Sequence, residues 1–547
     1  MGSIVSHVRQ QVRKALIRAV LRVLCLVSAP VRRLFQRLAI SPGIPVDNPC
    51  DSYWMSPPSP IAKHGSGPGT VIPEYADVVI IGSGITGTSV ARTLLDYDDK
   101  HRGENRPLHV VMLEARDACS GATGRNGGHI TPVLYQDYAA LKKAYGVDVA
   151  AEIIRFRLAH LTELLAVATE ENLLDDSMCR ETKSYDVYQD TNLYEHAKEL
   201  LEVYQRDLPS EGADLEVVEN REALKVSARV LSKSGHVGDV KLGIAIGAVG
   251  RGLPCIEWWR SPSVSIGDRH PSKIAMLLRI ELFTHTPCTN ILPPTSANSF
   301  YTICTPKGTL HARHVIHATN AWASHLLPGM RGKIIPARGV MTAQAARPGL
   351  GSSFGTFDYL TQLLPGGGGN GHYPTPAGEM MFGGGFMKHD AYLTEIGVAD
   401  DSSWNSNVSN YLSKAMGDYF RVGSKDDDKD TVIANWGGIF AMSSDEKPWV
   451  GRVPESITQR RAMEFAEAKA GEYDEESMET LDYEEGNTTG EWVAAGYSGE
   501  GMVHAWLSGK ALAMMVLGVE NSIPGVFKIT EERWRRSSIE KFVGGWM

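Results

Sequence analysis

Six consecutive residues, Gly82-Ser83-Gly84-Ile85-Thr86-Gly87, put glycines where a chain can turn tightly and bring backbone N–H groups up to a pyrophosphate. An acid, Glu114, stands 27 residues beyond Gly87, somewhat past the usual spacing for the carboxylate that holds an adenosine ribose. A carboxylate there binds both ribose hydroxyls and repels a 2′-phosphate, which makes NADP a poor candidate. The stretch from Ala115 and Arg116 through Thr123-Gly124-Arg125-Asn126-Gly127-Gly128 to His129 is too irregular for a strand, and its N–H groups could line a large planar ligand. Near the other end, Gly496-Tyr497-Ser498-Gly499-Glu500-Gly501-Met502 repeats the arrangement of a glycine turn ahead of a helical pattern, a second place for an anion. No Ser/His/Asp or paired-carboxylate signature accompanies these turns.

The elements that must carry these residues are legible around them. Val78-Val79-Ile80-Ile81 is an apolar run of the kind that forms a parallel strand buried on both faces, and Val90, Ala91, Leu94 and Leu95 give the following helix its apolar stripe. A polar loop over Asp96–Pro107 leads to a second strand, His109–Leu113, whose tip is Glu114, and the loop accounts for the long spacing. Trp492–Ala495 reads as a strand and Ala505–Val516 as a helix, so the third glycine turn has the same strand–turn–helix context as the first. Between residues 138 and 206 the spacing of Leu141, Ala144, Ile153, Ile154, Phe156, Leu161, Leu164 and Leu165 predicts helices covering a sheet, and strand-like stretches follow near Ser184–Tyr188 and Ile280–Thr284.

The remaining segments differ in character. Residues 1–40 hold eight arginines and lysines and no acid, with Val8, Val12, Ala15, Leu16, Ala19 and Val23 on one helical face. That pattern suits a helix lying on an anionic membrane or a mitochondrial presequence. Met1-Gly2-Ser3-Ile4-Val5-Ser6 also fits the myristoylation pattern, and a leader with no address is the plain alternative. Arg18 and Arg22 argue against a spanning helix. Residues 41–73 are rich in Pro, Gly and Ser and read as an irregular arm. Residues 249–273 show neither a period of 2 nor one of 3.6. Glu464–Glu491 is an acidic run that repels itself and reads as a disordered surface loop. With 547 residues, 43% of them hydrophobic, the chain has material for two domains, and its net charge of −9 argues against a nucleic-acid partner. Seven scattered cysteines without a CxxC pair suggest neither a zinc site nor a disulfide framework, hence no metal and a reducing, intracellular setting, with cytoplasm, peripheral membrane and mitochondrion all open.

The Gly-Ala-Thr-Gly-Arg-Asn-Gly-Gly stretch after a Rossmann glutamate resembles the flavoproteins of the D-amino-acid oxidase, glycine oxidase and sarcosine oxidase superfamily, their fungal members most of all. The likeness continues through Ala318-Thr319-Asn320, Pro336-Ala337-Arg338-Gly339, Phe382-Gly383-Gly384, Trp436-Gly437-Gly438 with Asp445 and Pro448, and the Gly499–Met502 turn, covering about residues 74–525. It implies an α/β fold: a Rossmann-like FAD-binding domain interleaved with an α+β substrate domain on an antiparallel sheet. The division it suggests is a leader and arm to residue 73, FAD-binding parts at 74–135, 231–325 and 431–525, helical cover and the start of the substrate domain from 136 to 230, the rest of the substrate domain at 326–430 and a tail at 526–547. The cofactor set it implies is Gly82 to Gly87, Glu114, Ala115, Arg116, Thr123 to Gly128, Cys288, Ala318 to Asn320, and Gly499, Glu500, Gly501 and Met502.

The implied activity is hydride transfer from a carbon bearing an amine to flavin N5, with O2 or another acceptor reoxidising the flavin. A small amine or amino acid is the implied substrate. Arg338 is the candidate to hold a substrate carboxylate, or else a structural arginine; His129 faces the flavin or is an ordinary hydrogen-bonded histidine. Relatives carry an oxygen-activating lysine over the flavin; here the register points to Met381. Covalent-flavin relatives attach through a cysteine just before the Asp/Pro block, and Ile439–Ser443 contains none, so FAD is expected to be non-covalent. The segment 249–273 is either an insertion or a local error in the gene model, and a tailoring oxidase of a secondary metabolite or an idle flavin-binding, membrane-associated protein stays open beside the enzyme reading.

Overall fold

The computed structural model describes residues 23, 26–101, 107–181, 183–188, 191–218, 239–243, 280–294, 300–345, 352–354, 358–363, 365–366, 376–388, 391–420, 432–458, 460, 489–539 and 542. The segment 249–273, the apolar face of the leader before Val23, and the acidic run up to residue 488 lie outside them.

In chain order the strands are β1 (Tyr75–Ile81), β2 (Val110–Leu113), β3 (Lys183–Val187), β4 (Val217–Val218), β5 (Asp239–Gly243), β6 (Ile280–Phe283), β7 (Asn290–Leu292), β8 (Tyr301–Thr305), β9 (Gly308–His317), β10 (Ile334–Gln344), β11 (Ser352–Phe354), β12 (Asp358–Gln362), β13 (Met380–Gly383), β14 (Val432–Ser443), β15 (Trp449–Arg452) and β16 (Gly490–Ala495). The longer helices are α1 (Ala29–Ala39), α2 (Ile85–His101), α3 (Tyr135–Tyr145), α4 (Val147–Glu170), α5 (Thr191–Asp207), α6 (Ser406–Phe420) and α7 (Ala505–Val516).

One sheet runs β15-β16-β9-β1-β2-β6, parallel except at its β15 edge, with β8 added antiparallel to β9 and β7 antiparallel to β8. The apolar run of β1 is divided by the period of 2. Val78 and Ile80 enter a core with Val90, Leu94 and Leu512 from the helical face, while Val79 and Ile81 face Ile303 and Leu310 from the β8–β9 layer. Both faces of β1 are thus covered, which is why the strand needs no polar alternation. The second sheet runs β14-β10-β13-β12-β11-β3-β5-β4 and is antiparallel except for β11 with β3. Its long ladder of β10 and β14 pairs Gly339 with Gly438. The expected pairing of a parallel Rossmann-like core with a separate antiparallel sheet is therefore present.

Three segments depart from the sequence reading. The supposed loop from Asp96 is helical as far as His101, because Asp98 is buried and accepts the Leu108 N–H at 2.9 Å, so the helix end is tied to the next strand. Glu491, counted with the acidic loop, is buried in β16, where His317 Nε2 meets its carboxylate at 2.6 Å and Arg460 pairs with it. The N-terminal segment is not a separate region throughout: Leu34 and Leu38 of α1 enter a core cluster with Ile335, Ile396, Met442 and Phe542, and Arg37 Nε donates to the Ile396 carbonyl at 3.0 Å. Trp54 in the following arm is buried, its Nε1 donating to the Asn126 carbonyl at 2.6 Å. No helix among the described residues is long and apolar enough to cross a membrane.

Candidate active site

The first glycine turn closes because side chains are missing from it. A Cβ on Gly87 would stand 2.0 Å from the Gly82 carbonyl oxygen, and one on Gly82, whose φ is +106°, would meet the Ala318 oxygen at 2.7 Å. Helix α2 therefore starts directly against β1, its N-terminus aimed across the carboxyl ends of β1 and β9. Glu114 follows β2 at the same edge. Its Oε2 accepts from the Ser83 N–H at 3.0 Å and the Ser83 hydroxyl at 2.6 Å, and its Oε1 accepts from Arg116 N at 3.1 Å. These bonds aim the carboxylate and leave further lone pairs on each oxygen for a ribose.

The loop at Thr123–Gly128 is held from beneath. Arg125 donates to the carbonyls of Ser120 (2.9 Å), Gly437 (3.0 Å) and Cys50 (2.7 Å), and Asn126 Nδ2 closes the loop on Ala122 and Thr123. Trp436 Nε1 donates to the Arg125 carbonyl at 2.9 Å. A Cβ on Gly438 would lie 3.1 Å from the Arg125 Cβ, so the glycine in β14 is what lets the loop lie against the second sheet. At the far end the last glycine turn is tied to the first, Tyr497 Oη and Thr86 Oγ1 being 2.9 Å apart. The Gly496 N–H donates to Asn320 Oδ1 at 3.1 Å, which joins the Ala318-Thr319-Asn320 segment to the same cap.

Between these parts lies a cavity of about 960 Å³, at the upper end of the range for small-molecule sites. Gly82, Gly84, Ile85, Thr86, Glu114, Ala115, Arg116, Thr123, Arg125, Asn126, Gly127, His129, Cys288, Ala318, Thr319, Asn320, Gly499, Glu500, Gly501 and Met502 line it. Ser83, Gly87, Gly124 and Gly128 do not, for they act one layer back. Ser83 orients Glu114, Gly87 lets helix and strand meet, and a Cβ on Gly124 would strike Met55 Sδ at 2.7 Å and the Cys119 oxygen at 2.8 Å. Gly128 takes up a φ of +78° while its N–H bonds Asn126 Oδ1 at 2.7 Å.

Arg338 does not reach the cavity: its Nε pairs with Glu395 at 2.7 Å, and Nη1 bonds the Asp400 and Ser403 carbonyls. Met381 does not line the cavity either: its pairing with Ala343 puts it on the sheet face of Met341, but Trp54, Met178 and Trp436 pack on it there. His129 does line the cavity. Its Nε2 and Thr361 Oγ1 are 2.5 Å apart, Tyr359 meets its ring edge-on at 5.0 Å, and burial pulls its pKa down to about 4, so the ring is neutral near pH 7.

Of a charged cluster beside the cap, sequence reasoning named Glu500 and missed Arg157, Asp137 and Lys447. Arg157 Nη2 lies 3.1 Å from both Asp137 and Glu500, and Nη1 donates to the Val133 carbonyl at 2.7 Å. Burial raises the Glu500 pKa and lowers those of Lys447 and His504. Arg157 falls on the apolar stripe of α4 with Ile153 and Leu161, and an arginine at a core-facing position was the available signal. Phe440, Phe386 and Phe542, which also line the cavity, gave no such signal, since isolated aromatics are ordinary core residues.

FAD fits what is present. The glycine cradle excludes side chains where a pyrophosphate would lie, the aimed carboxylate suits an adenosine ribose, and the buried hydroxyls of Thr131 and Thr319 on the cavity wall have no protein hydrogen-bond partner among the described residues.

Comparison with known proteins gives the same assignment. A family model described as FAD dependent oxidoreductase matches residues 77–248 and 273–515. Glycine oxidase from Geobacillus kaustophilus superposes with a TM-score of 0.55 at 17% identity, covering 84% of this chain and 99% of that one. L-proline dehydrogenase from P. horikoshii gives 0.56 at 16% identity, with 84% and 97% covered. L-amino acid deaminase from Proteus vulgaris, lacking its specific insertion, gives 0.56 at 13%, with 86% and 98% covered. At such identities the likeness is one of fold. Gamma-glutamylputrescine oxidoreductase from Escherichia coli strain K12 is 35% identical over 92 residues, 15% of this chain and 20% of that protein, so the chain matches about a fifth of this relative's length. Matched over most of its length and folded on the same two sheets, the chain belongs to the FAD-dependent oxidoreductase family.

Proposed function

We propose that the protein oxidises a carbon–nitrogen bond of a small amine or amino acid, with FAD held non-covalently. The observation that carries this reading is the single cavity that runs from the Glu114 carboxylate to a wall built by the second sheet, so that a cofactor end and a substrate end share one space. In the reaction the carbon bearing nitrogen gives up a hydride and the nitrogen a proton; water then converts the imine to a carbonyl compound and frees the amine or ammonia. Bound FAD would supply the hydride acceptor, and O2 or another oxidant would take the electrons from it.

The chain's own part is to bind, orient and exclude water. Gly82 to Thr86 and the α2 N-terminus would hold the pyrophosphate, and Glu114 the ribose. The turn at Gly499–Met502 and the N-terminus of α7 would place backbone N–H groups and a positive dipole end at the flavin, where they favour added negative charge. His129, kept neutral by burial and held at Nε2 by Thr361, adds no positive charge to the wall that a substrate nitrogen would face. Cys288 is the one cysteine on the described wall, and it stands beside Pro287 and Glu114 at the adenosine end with its thiol pushed up to about 12, which favours a flavin without a covalent bond. The neighbours named glycine oxidase, L-proline dehydrogenase and gamma-glutamylputrescine oxidoreductase bracket the substrate class.

The test is a purified protein with a flavin spectrum that is bleached anaerobically by members of an amine and amino-acid panel and restored by air. Glu114→Ala should weaken FAD retention at least about tenfold, the equivalent of one good hydrogen bond to a charged group. A protein that takes up no flavin when FAD is supplied would end this reading.

A further inference from the structure

Once the cofactor-holding loops are set aside, the cavity has a second wall that comes from the antiparallel sheet and from the end of the chain. Met341 of β10, Tyr359 of β12, Phe386, Phe440 and Met442 form it with Phe542 of the tail. Phe386 and Phe440 meet edge-on with centroids 5.7 Å apart, and Met442 and Phe542 belong to the cluster buttressed by Leu34 and Leu38 of α1. Tyr359 turns its hydroxyl onto Met341 Sδ at 3.0 Å, so even the one phenol of this wall spends its polar atom inside it. A Cβ on Gly499 of the cap would stand 3.9 Å from Phe440, which sets this apolar wall directly beside the flavin-facing turn.

The guanidinium groups of the cavity are committed elsewhere. Arg116 pairs with Asp401 at 2.8 Å, Arg125 is spent on three carbonyls, and Arg157 is shared between Asp137 and Glu500. Arg338 is outside it. Lys447 is the one lining cation without an ion pair among the described residues, and the charges it feels most are those of Arg157, Asp137, Glu446 and Glu500, the charged cluster at the cap. A substrate carboxylate laid on the apolar wall would lose its hydration with no guanidinium in exchange, a cost that an uncharged substituent avoids.

We propose, on the oxidoreductase reading above, that the substrate is a hydrophobic amine with no carboxylate on its nitrogen-bearing carbon. It enters as the neutral amine, because the apolar wall that excludes a carboxylate disfavours an ammonium as well. Its alkyl or aryl group packs on Phe386, Phe440 and Met442, and the carbon to be oxidised is thereby brought up to the cap.

Phenethylamine and phenylalanine differ only by the carboxylate and are the probes. FAD-loaded, full-length protein is titrated anaerobically with each, following flavin absorbance for binding and bleaching, and melted with each for a readout that needs no turnover. Phenethylamine should bind at least about tenfold more tightly, and its affinity should climb as pH rises toward the pKa of its own ammonium group. Phe386→Lys, which places a cation on the wall, should narrow the gap or invert it. Equal or tighter binding of phenylalanine to the unaltered protein overturns the inference, as does a flavin-loaded protein that responds to neither probe. A preparation that takes up no FAD removes the oxidoreductase reading and this inference with it, and the absent flavin spectrum tells that outcome from the other two.

Discussion

His160→Gln isolates one titration beside the cap. His160 Nδ1 donates to the Phe156 carbonyl at 2.9 Å, and its Nε2 accepts the Leu507 N–H at 3.2 Å, in the first turn of α7. A ring that donates at one nitrogen and accepts at the other is neutral, and burial pulls its pKa down to about 4. In the unfolded chain it returns to about 6.5. Between those values the unfolded chain takes up a proton that the folded one refuses, so this contribution to stability is complete above the unfolded pKa and is lost as pH falls toward the folded one. From about pH 7 to about pH 5 the linkage relation gives a loss of about 2 kcal/mol from this group alone. Glutamine can keep accepting from Leu507 and does not titrate. Urea unfolding of both proteins at the two pH values should show the variant losing about 2 kcal/mol less than the parent. Equal losses would refute the neutral, acceptor role assigned to His160.

Two other substitutions probe how the site is held. Gly127→Ala would place a Cβ 2.6 Å from the Tyr359 ring and 3.2 Å from His129 Nδ1, so it should cost about 1–3 kcal/mol in urea unfolding and weaken FAD retention, and Tyr359→Ala in the same chain should restore part of both. Leu38→Ala deletes a buried anchor of α1 and should cost about 2–5 kcal/mol, with faster tryptic cutting after Arg32 and Arg33 as α1 comes away from Ile335 and Met442; unchanged cutting would mean that α1 is held by something else.

The sequence by itself determined what depends on near neighbours in the chain. A run of four apolar residues before three glycines reads as a buried strand entering a tight turn, and Glu114 at the tip of the next strand follows from the same local grammar. The strand–turn–helix at the cap was legible for the same reason, as was the antiparallel sheet through the resemblance. What only the tertiary structure decided is which side chains share a space and which are already spent. Arg338 and Arg125 look alike in sequence, yet one is paired with Glu395 outside the cavity and the other pins the loop from beneath, because partners up to 312 residues away take up their donors. Met381 and Phe440 share one face of the second sheet, opposite Ala343 and Ala337 of β10, yet Trp54 of the arm and Met178 pack on the first while the second is left facing the cavity. A single tail residue, Phe542, lines the apolar wall of the cavity and a helix that reads as a leader buttresses it, since burial joins segments that the chain keeps more than 500 residues apart.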